Sequence, residues 1–280
     1  MLNTATTIKK CDTIAIGGFD GIHVGHKELF KRLGRNGCVV VIDSGFSNLT
    51  PGKDRELFVH HPIVFFKLND IRDLDAKGFI DLLHKKFEHL KTIVVGYDFH
   101  FGKDRKYDVN DLKHLFYKNV IVVDEVKVAG ESVHSNTVRK KLAAADIKSV
   151  TAFLGRNYEI KGKVIKGQGI GKEQLVATIN LDIKDYCMPK EGVYVTLTRI
   201  NHEEHFHPSV SFIGHRASTD GSFAVETHIL DCDIKHSDKA TISFVDFLRE
   251  NRKFNSLNEL KKQIQKDIQM TKKELRLLEL

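Results

Sequence analysis

The sequence predicts an α/β N-terminal domain with a parallel sheet, followed by an antiparallel β-barrel domain with a C-terminal helix. Three observations carry that expectation. Up to about Ala145, short and nearly all-apolar runs alternate with helical patterns. From Tyr158 to about Val245 the texture changes to short alternating runs separated by glycine or polar turns. The tail from Ser256 to Leu280 is charged and amphipathic, with Leu257, Leu260, Ile264 and Ile268 along one stripe.

Strands are expected at Thr13–Gly17, Cys38–Asp43, Thr92–Gly96 and Val120–Val126, with a further short one around Val64–Leu68. Continuous apolar runs of this kind belong to parallel strands covered on both faces. Helical patterns lie between them at Lys27–Leu33, Asp54–His61, Ala76–Leu90 and Val109–Tyr117. In the third, Phe79, Leu82, Leu83, Phe87 and Leu90 share one face. Two short helices follow, Asn136–Ala144 and Ile147–Leu154, the first capped by Asn136 or Ser135. Gly155-Arg156-Asn157 then ends the helical region. The barrel strands read as Glu159–Ile165, Val193–Ile200, Ser209–Ile213, Ala224–Asp231 and Ala240–Val245, and the tail helix is expected to pack on the barrel. The division is therefore 1–156 and 157–280. No Pro/Ser-rich linker, repeat or low-complexity segment separates the halves, so they are expected to be closely joined.

At 280 residues the chain is long enough for two ordinary cores. Its 41% hydrophobic and 29% charged residues are those of a soluble globular protein. The formal charge of +7 admits a nucleic-acid binder or a protein with polyanionic small ligands. Acidic residues are interspersed among the basic ones and no long basic run with aromatics occurs, which favours the small ligands. The 4 cysteines form no Cys-x-x-Cys pair, so neither a disulfide scaffold nor a zinc site is expected. No signal peptide or membrane span is seen, and a cytoplasmic protein is the expectation.

The most informative run is Gly17-Gly18-Phe19-Asp20-Gly21-Ile22-His23-Val24-Gly25-His26, placed at the first strand-to-helix turn. Glycines let a backbone approach a phosphate closely, and a helix start offers unpaired N–H groups to it. His23 and His26 can then meet one phosphate chain. Phe19 reads equally as core, and Asp20 equally as a turn cap. Gly96-Tyr97-Asp98-Phe99-His100-Phe101-Gly102 follows another strand, where open α/β sheets place ligands. Ser135-Asn136-Thr137-Val138-Arg139 sits at a later helix start, and Arg139 taken alone would read as a surface salt bridge. In the second half, Gly167-x-Gly169-x-Gly171 precedes Ala177-Thr178-Ile179-Asn180, whose Thr178 and Asn180 side chains share one side of a strand.

These segments resemble the HxGH nucleotidyltransferases in their bacterial flavin branch, joined to a riboflavin kinase domain, and the resemblance covers nearly the whole chain. It implies a Rossmann-like N-terminal fold of the nucleotidyltransferase type. It further implies two reactions: phosphorylation of riboflavin to FMN by ATP, and adenylyl transfer from a second ATP to FMN. By resemblance, His23 and His26 stabilise the transferring phosphate and Glu226 is the general base for the ribityl hydroxyl. Gly17, Phe19, Asp20, Gly25, Ser135, Asn136, Arg139, Gly167, Gly169, Gly171 and Arg216 would bind ATP or phosphate. Gly96 and Asp98 would face the flavin, and Thr178 and Asn180 would hold Mg²⁺. Without the resemblance, Glu226 reads as a solvent-facing strand residue.

The chain departs from the family pattern in three places. Ala177 stands for a proline, His134-Ser135-Asn136 for Ser-Ser-Thr, and a Pro-His-Pro segment after the second strand is replaced by residues 43–51. Two other readings therefore stay open: retention of one activity only, or a non-catalytic flavin- or nucleotide-binding regulator. The implied partners are small molecules, not nucleic acid or membrane.

Overall fold

The computed structural model describes residues 10–167, 176–201, 203–218, 220–231 and 237–278. The chain forms two compact units, Met1–Thr137 and Val138–Leu280.

In the first unit, β1 (Thr13–Gly17), β2 (Gly37–Asp43), β3 (Ile63–Lys67), β4 (Thr92–Gly96) and β5 (Asn119–Val123) form a sheet of order β3-β2-β1-β4-β5. Every pairing in it is parallel. Alternation along each strand feeds two layers. Ile14, Ile16, Cys38, Val40 and Val95 join one core, whereas Ala15, Val39, Val41 and Val94 join the other. Strand order reverses on either side of β1, so the carboxyl ends of β1 and β4 flank the switch point where such sheets take ligands.

Helices α1 (Val24–Phe30), α2 (Leu68–Ile71), α3 (Ala76–Lys86) and α4 (Val109–Leu115) connect the strands. Helix α4 starts with a capping box between Asp108 and Asp111. Helix α3 ends before its apolar stripe does. Phe87 turns to φ −125°, ψ 85°, yet Phe87 and Leu90 remain buried in the core. The helix expected over Asp54–His61 is instead a 3₁₀ turn, Gly52–Leu57, which begins earlier and is shorter. Pro62 disfavours helical backbone at the residue before it, and Phe58 already leaves the helical region. Cys11 and Cys38, expected as separate thiols, are joined as a disulfide with Cα atoms 6.0 Å apart. Cys11 lies just before β1, and Cys38 sits near the start of the adjacent parallel strand, opposite Ile14. A short β6–β7 hairpin (Lys127–Val128, Glu131–Ser132) leads to α5 (Ser135–Ala143).

The second unit continues with α6 (Ile147–Leu154), ended by Gly155 in the left-handed conformation. Strands β8 (Tyr158–Ile165), β9 (Ile179–Ile183), β10 (Gly192–Ile200), β11 (His207–His215), β12 (Phe223–Ile229) and β13 (Lys239–Glu250) close a barrel of order β10-β11-β12-β9-β8-β13. Its interior is partly polar. Thr196, Thr198, Ser209, Ser211 and Thr227 are fully buried and satisfy one another through hydroxyl hydrogen bonds of 2.8–3.1 Å. Helix α7 (Leu257–Leu278) packs on β10 and β11, with Ile268 of its stripe against Val193, Val210 and Leu230, whereas Leu257 at the stripe's start is exposed. The buried Asp267 accepts a forked pair of bonds from Arg249 at 3.0 and 2.7 Å, which fixes the helix on the barrel.

Candidate active sites

The first site is the turn between β1 and α1. Phe19, Gly21 and Ile22 all adopt positive φ (47°, 85° and 44°), a strained path that needs outside support. Two kinds of contact supply it. The Phe19 and Ile22 side chains are sunk in the core. Asp20 accepts the backbone N–H groups of Asn48, Leu49 and Thr50 at 3.0–3.3 Å, and Thr50 Oγ1 accepts Gly21 N–H at 2.7 Å. Segment 48–50 is thereby clamped to the turn. Asp20, predicted at the phosphate or as a cap, spends its carboxylate on this clamp.

His23 caps α1, its Nδ1 accepting His26 N–H at 3.3 Å. The two imidazoles stack with centroids 3.5 Å apart, and the Phe19 edge meets His26. A Cβ at Gly25 would come within 3.1 Å of His23 Nδ1, so glycine keeps this stack open. Burial, with the charges of His23, Arg55 and His134 adding, holds the His26 imidazole well below its ordinary pKa. It is therefore neutral near pH 7, able to donate one hydrogen bond and accept another. His26 Nδ1 is buried and has no hydrogen-bond partner.

Ser135 opens α5 and donates from Oγ to the Asp20 carbonyl at 2.8 Å, joining that helix start to the turn. Both predicted caps, Ser135 and Asn136, lie inside the helix. Arg139 follows Ser135 and Asn136 at one-turn spacing on the same helix. Gly17 and Gly96 end β1 and β4 side by side at the switch point, with Asp98 exposed just beyond. Tyr97 and His134 were not singled out by sequence. Here the Tyr97 hydroxyl lies 3.2 Å from His134 Nε2 and 3.4 Å from Glu125. Only the departure His134-Ser135-Asn136 hinted at this group.

The second site lies on the barrel, around a cavity of about 420 Å³ whose lining includes Lys166, Gly167, Asn180, Met188, Arg216 and Phe223. Alternation along β12 sends Thr227 inward and Glu226 outward, where it pairs in register with Asn180 of β9. Arg216, at the end of β11, bridges the two. Its Nε donates to Glu226 Oε1 at 2.7 Å and its Nη2 to Asn180 Oδ1 at 2.8 Å. Nη1 donates to Ser222 Oγ at 2.7 Å. The Arg216 guanidinium thus occupies oxygens of both Asn180 and Glu226, and exposed Thr178 lies two residues before Asn180. A Cβ at Gly167 would meet the Asn180 side-chain amide, so any larger residue there must push that amide aside. Gly169 and Gly171 lie outside the described residues. His228 Nδ1 meets the Ala177 carbonyl at 2.7 Å, tying down the position where a proline was expected.

Comparison with known proteins matches both halves. The FAD synthetase family model matches residues 57–137, and the riboflavin kinase model matches residues 154–275. A bifunctional riboflavin kinase/FMN adenylyltransferase from Pseudomonas fluorescens is 30% identical over 288 residues, covering 90% of this chain and 89% of its own. Another from Listeria monocytogenes is 28% identical, covering 92% and 91%. A crystal structure of a Streptococcus pneumoniae protein named as a macrolide-efflux protein shares the fold, with a TM-score of 0.83 at 24% identity over 97% of both chains. With both family models matched and a relative similar along nearly its whole length, this chain belongs to the bifunctional riboflavin kinase/FMN adenylyltransferase family.

Proposed function

We propose that the chain phosphorylates riboflavin to FMN with ATP, then transfers AMP from a second ATP to FMN, releasing pyrophosphate. The observation that carries this is the pairing of both family models with 30% identity over nine-tenths of a bifunctional relative. The alternative of one retained activity, or of a non-catalytic regulator, has no observation in its favour.

Adenylyl transfer needs no protein nucleophile, because the phosphate of FMN attacks the α-phosphorus itself. The protein's task is to position the reactants and to stabilise charge building on phosphate oxygens. Stacked on one another, with His23 buried and His26 half-buried, the two imidazoles suit that role as hydrogen-bond donors. Ser135, Asn136 and Arg139 would meet the triphosphate from α5, with Gly17 and Gly25 allowing close approach. Gly96 and Asp98 would receive the flavin at the end of β4. Phe19 and Asp20 shape the turn.

For the kinase step, Glu226 would take the proton of the ribityl hydroxyl as it attacks the γ-phosphorus. Arg216 must then release Glu226 and can follow the phosphate, for which its fork is suited. Thr178 and Asn180 would hold Mg²⁺, which when bound screens the negative charge of the ATP phosphates. Gly167, with Gly169 and Gly171, would cover those phosphates. Substrates of this kind suit a cytoplasmic protein. Among the described residues, no helix is long and apolar enough to cross a membrane.

The test is to incubate the pure protein with riboflavin, ATP and Mg²⁺ and to separate the flavins. FAD should accumulate, and His23→Ala should stop the reaction at FMN. Unchanged riboflavin with FMN still converted to FAD would remove the kinase half of the reading. No product from either flavin would overturn it.

A further inference from the structure

Arg55 is the largest side chain fully closed to solvent among the described residues. It sits in the 3₁₀ turn Gly52–Leu57, directly after the segment that Asp20 and Thr50 clamp to the His23–His26 turn. Its Nη1 donates to the Gly52 carbonyl at 2.9 Å, but Nε and Nη2 are buried with no hydrogen-bond partner. A guanidinium stays charged even when buried. An unpaired buried cation is costly, and an apolar side chain of similar volume would fill the space more favourably. Packing therefore does not account for it.

Its surroundings are those of the phosphate turn. Burial pulls the Arg55 guanidinium down in pKa while the negative charges of Asp20 and Asp43 push it back up, and its own charge bears on His26. His26 Nδ1 is likewise buried without a partner. Two sets of unused nitrogens thus lie in one electrostatically linked group. The Asp20 carboxylate, one of the two that act on Arg55, accepts three backbone N–H groups.

We propose that Arg55 is a further ligand of the adenylyl-transfer site, its Nε and Nη2 being donors kept for phosphate oxygens of ATP. The Nε/Nη2 edge is the one that grips a phosphate through two parallel bonds. Since the guanidinium is covered in this structure, an entering phosphate displaces part of that cover and neutralises the buried charge. The inference rests on the adenylyl-transfer reading of this turn.

The experiment compares the full-length wild type with Arg55→Met and Arg55→Lys. Inorganic pyrophosphate is titrated calorimetrically, and FAD formation from FMN is measured beside FMN formation from riboflavin. Arg55→Met should melt no lower than wild type and phosphorylate riboflavin normally. Its pyrophosphate affinity and its kcat/KM for ATP in FAD formation should fall about 100-fold. Arg55→Lys keeps the charge without the fork and should recover part of that loss. Unchanged pyrophosphate binding and FAD formation in Arg55→Met would overturn the proposal. So would a melting temperature that drops in both variants, which would make Arg55 a strut of the fold. A wild type that makes no FAD would sink the adenylyl-transfer reading, and the pyrophosphate titration would still decide Arg55.

Discussion

At the β1–α1 turn the polar side chains are bound to backbone, whereas at the barrel site they are bound to one another. Asp20, Thr50 and Ser135 hold main-chain groups of the turn and its neighbours, and nitrogens of His26 and Arg55 are left without partners. On the barrel, Arg216 satisfies Glu226, Asn180 and Ser222 together. The first arrangement is held by main-chain contacts, which leave those nitrogens uncommitted to any other side chain. The second is self-neutralised, and substrate has to compete with an internal ion pair before Glu226 can act. Backbone clamping ties the first site's chemistry to the stability of its fold. Side-chain pairing separates the two in the second.

Replacing His26 by Ala should lower the rate of FAD formation roughly 1,000-fold, with FMN formation unaffected. A matching fall in FMN formation would erase the division of labour between the sites. Next in size, Asp20→Ala removes three charge-assisted bonds and should destabilise the first unit by about 3 kcal/mol. Chemical denaturation checks this, and FAD synthesis should fail at the temperature where the unit melts. By contrast, Glu226→Gln should cut riboflavin phosphorylation about 100-fold while leaving the melting curve in place. If it lowers the melting temperature as Asp20→Ala does, the contrast between clamped and paired sites is wrong.

A smaller effect concerns pH. In the unfolded chain His26 takes a proton near pH 6.5, whereas burial keeps it neutral in the fold. Its contribution to stability is complete above that pH and is lost as pH falls toward the lowered folded value. Urea midpoints at pH 7.5 and 5.5 should therefore diverge in wild type and diverge less in His26→Ala. Smallest of all, Lys148→Ala breaks a solvent-screened pair with the half-buried Asp246 at 2.9 Å and should leave the urea midpoint nearly unchanged.

Helix α6 and strands β1 and β4 are read from sequence to the residue, and most other elements to within a few positions. Each has a strong local signature: a continuous apolar run, or a stripe ended by a left-handed glycine. Residues 54–61 misled because helical periodicity there competes with Pro62 and with a buried arginine that no local pattern marks. The His23/His26 turn was legible because its parts are consecutive. Glu226 was less so: alone it reads as a surface residue, and only its place opposite Asn180 and beside Arg216 brings it into the candidate site.

By itself the sequence determined the order of most strands and helices, the change from α/β to barrel, and the run that ends in paired histidines. Those depend on contacts within a turn or along one strand, where periodicity and glycine placement are enough. The tertiary structure decided what the polar groups hold. Asp20 reaches partners 28 to 30 positions away, and Arg216 joins Asn180, 36 positions away, to Glu226. Cys11 meets Cys38 across a sequence separation of 27. Whether a buried polar atom is paired or left open depends on that register, since a slip of one residue turns every side chain of a strand to its other face.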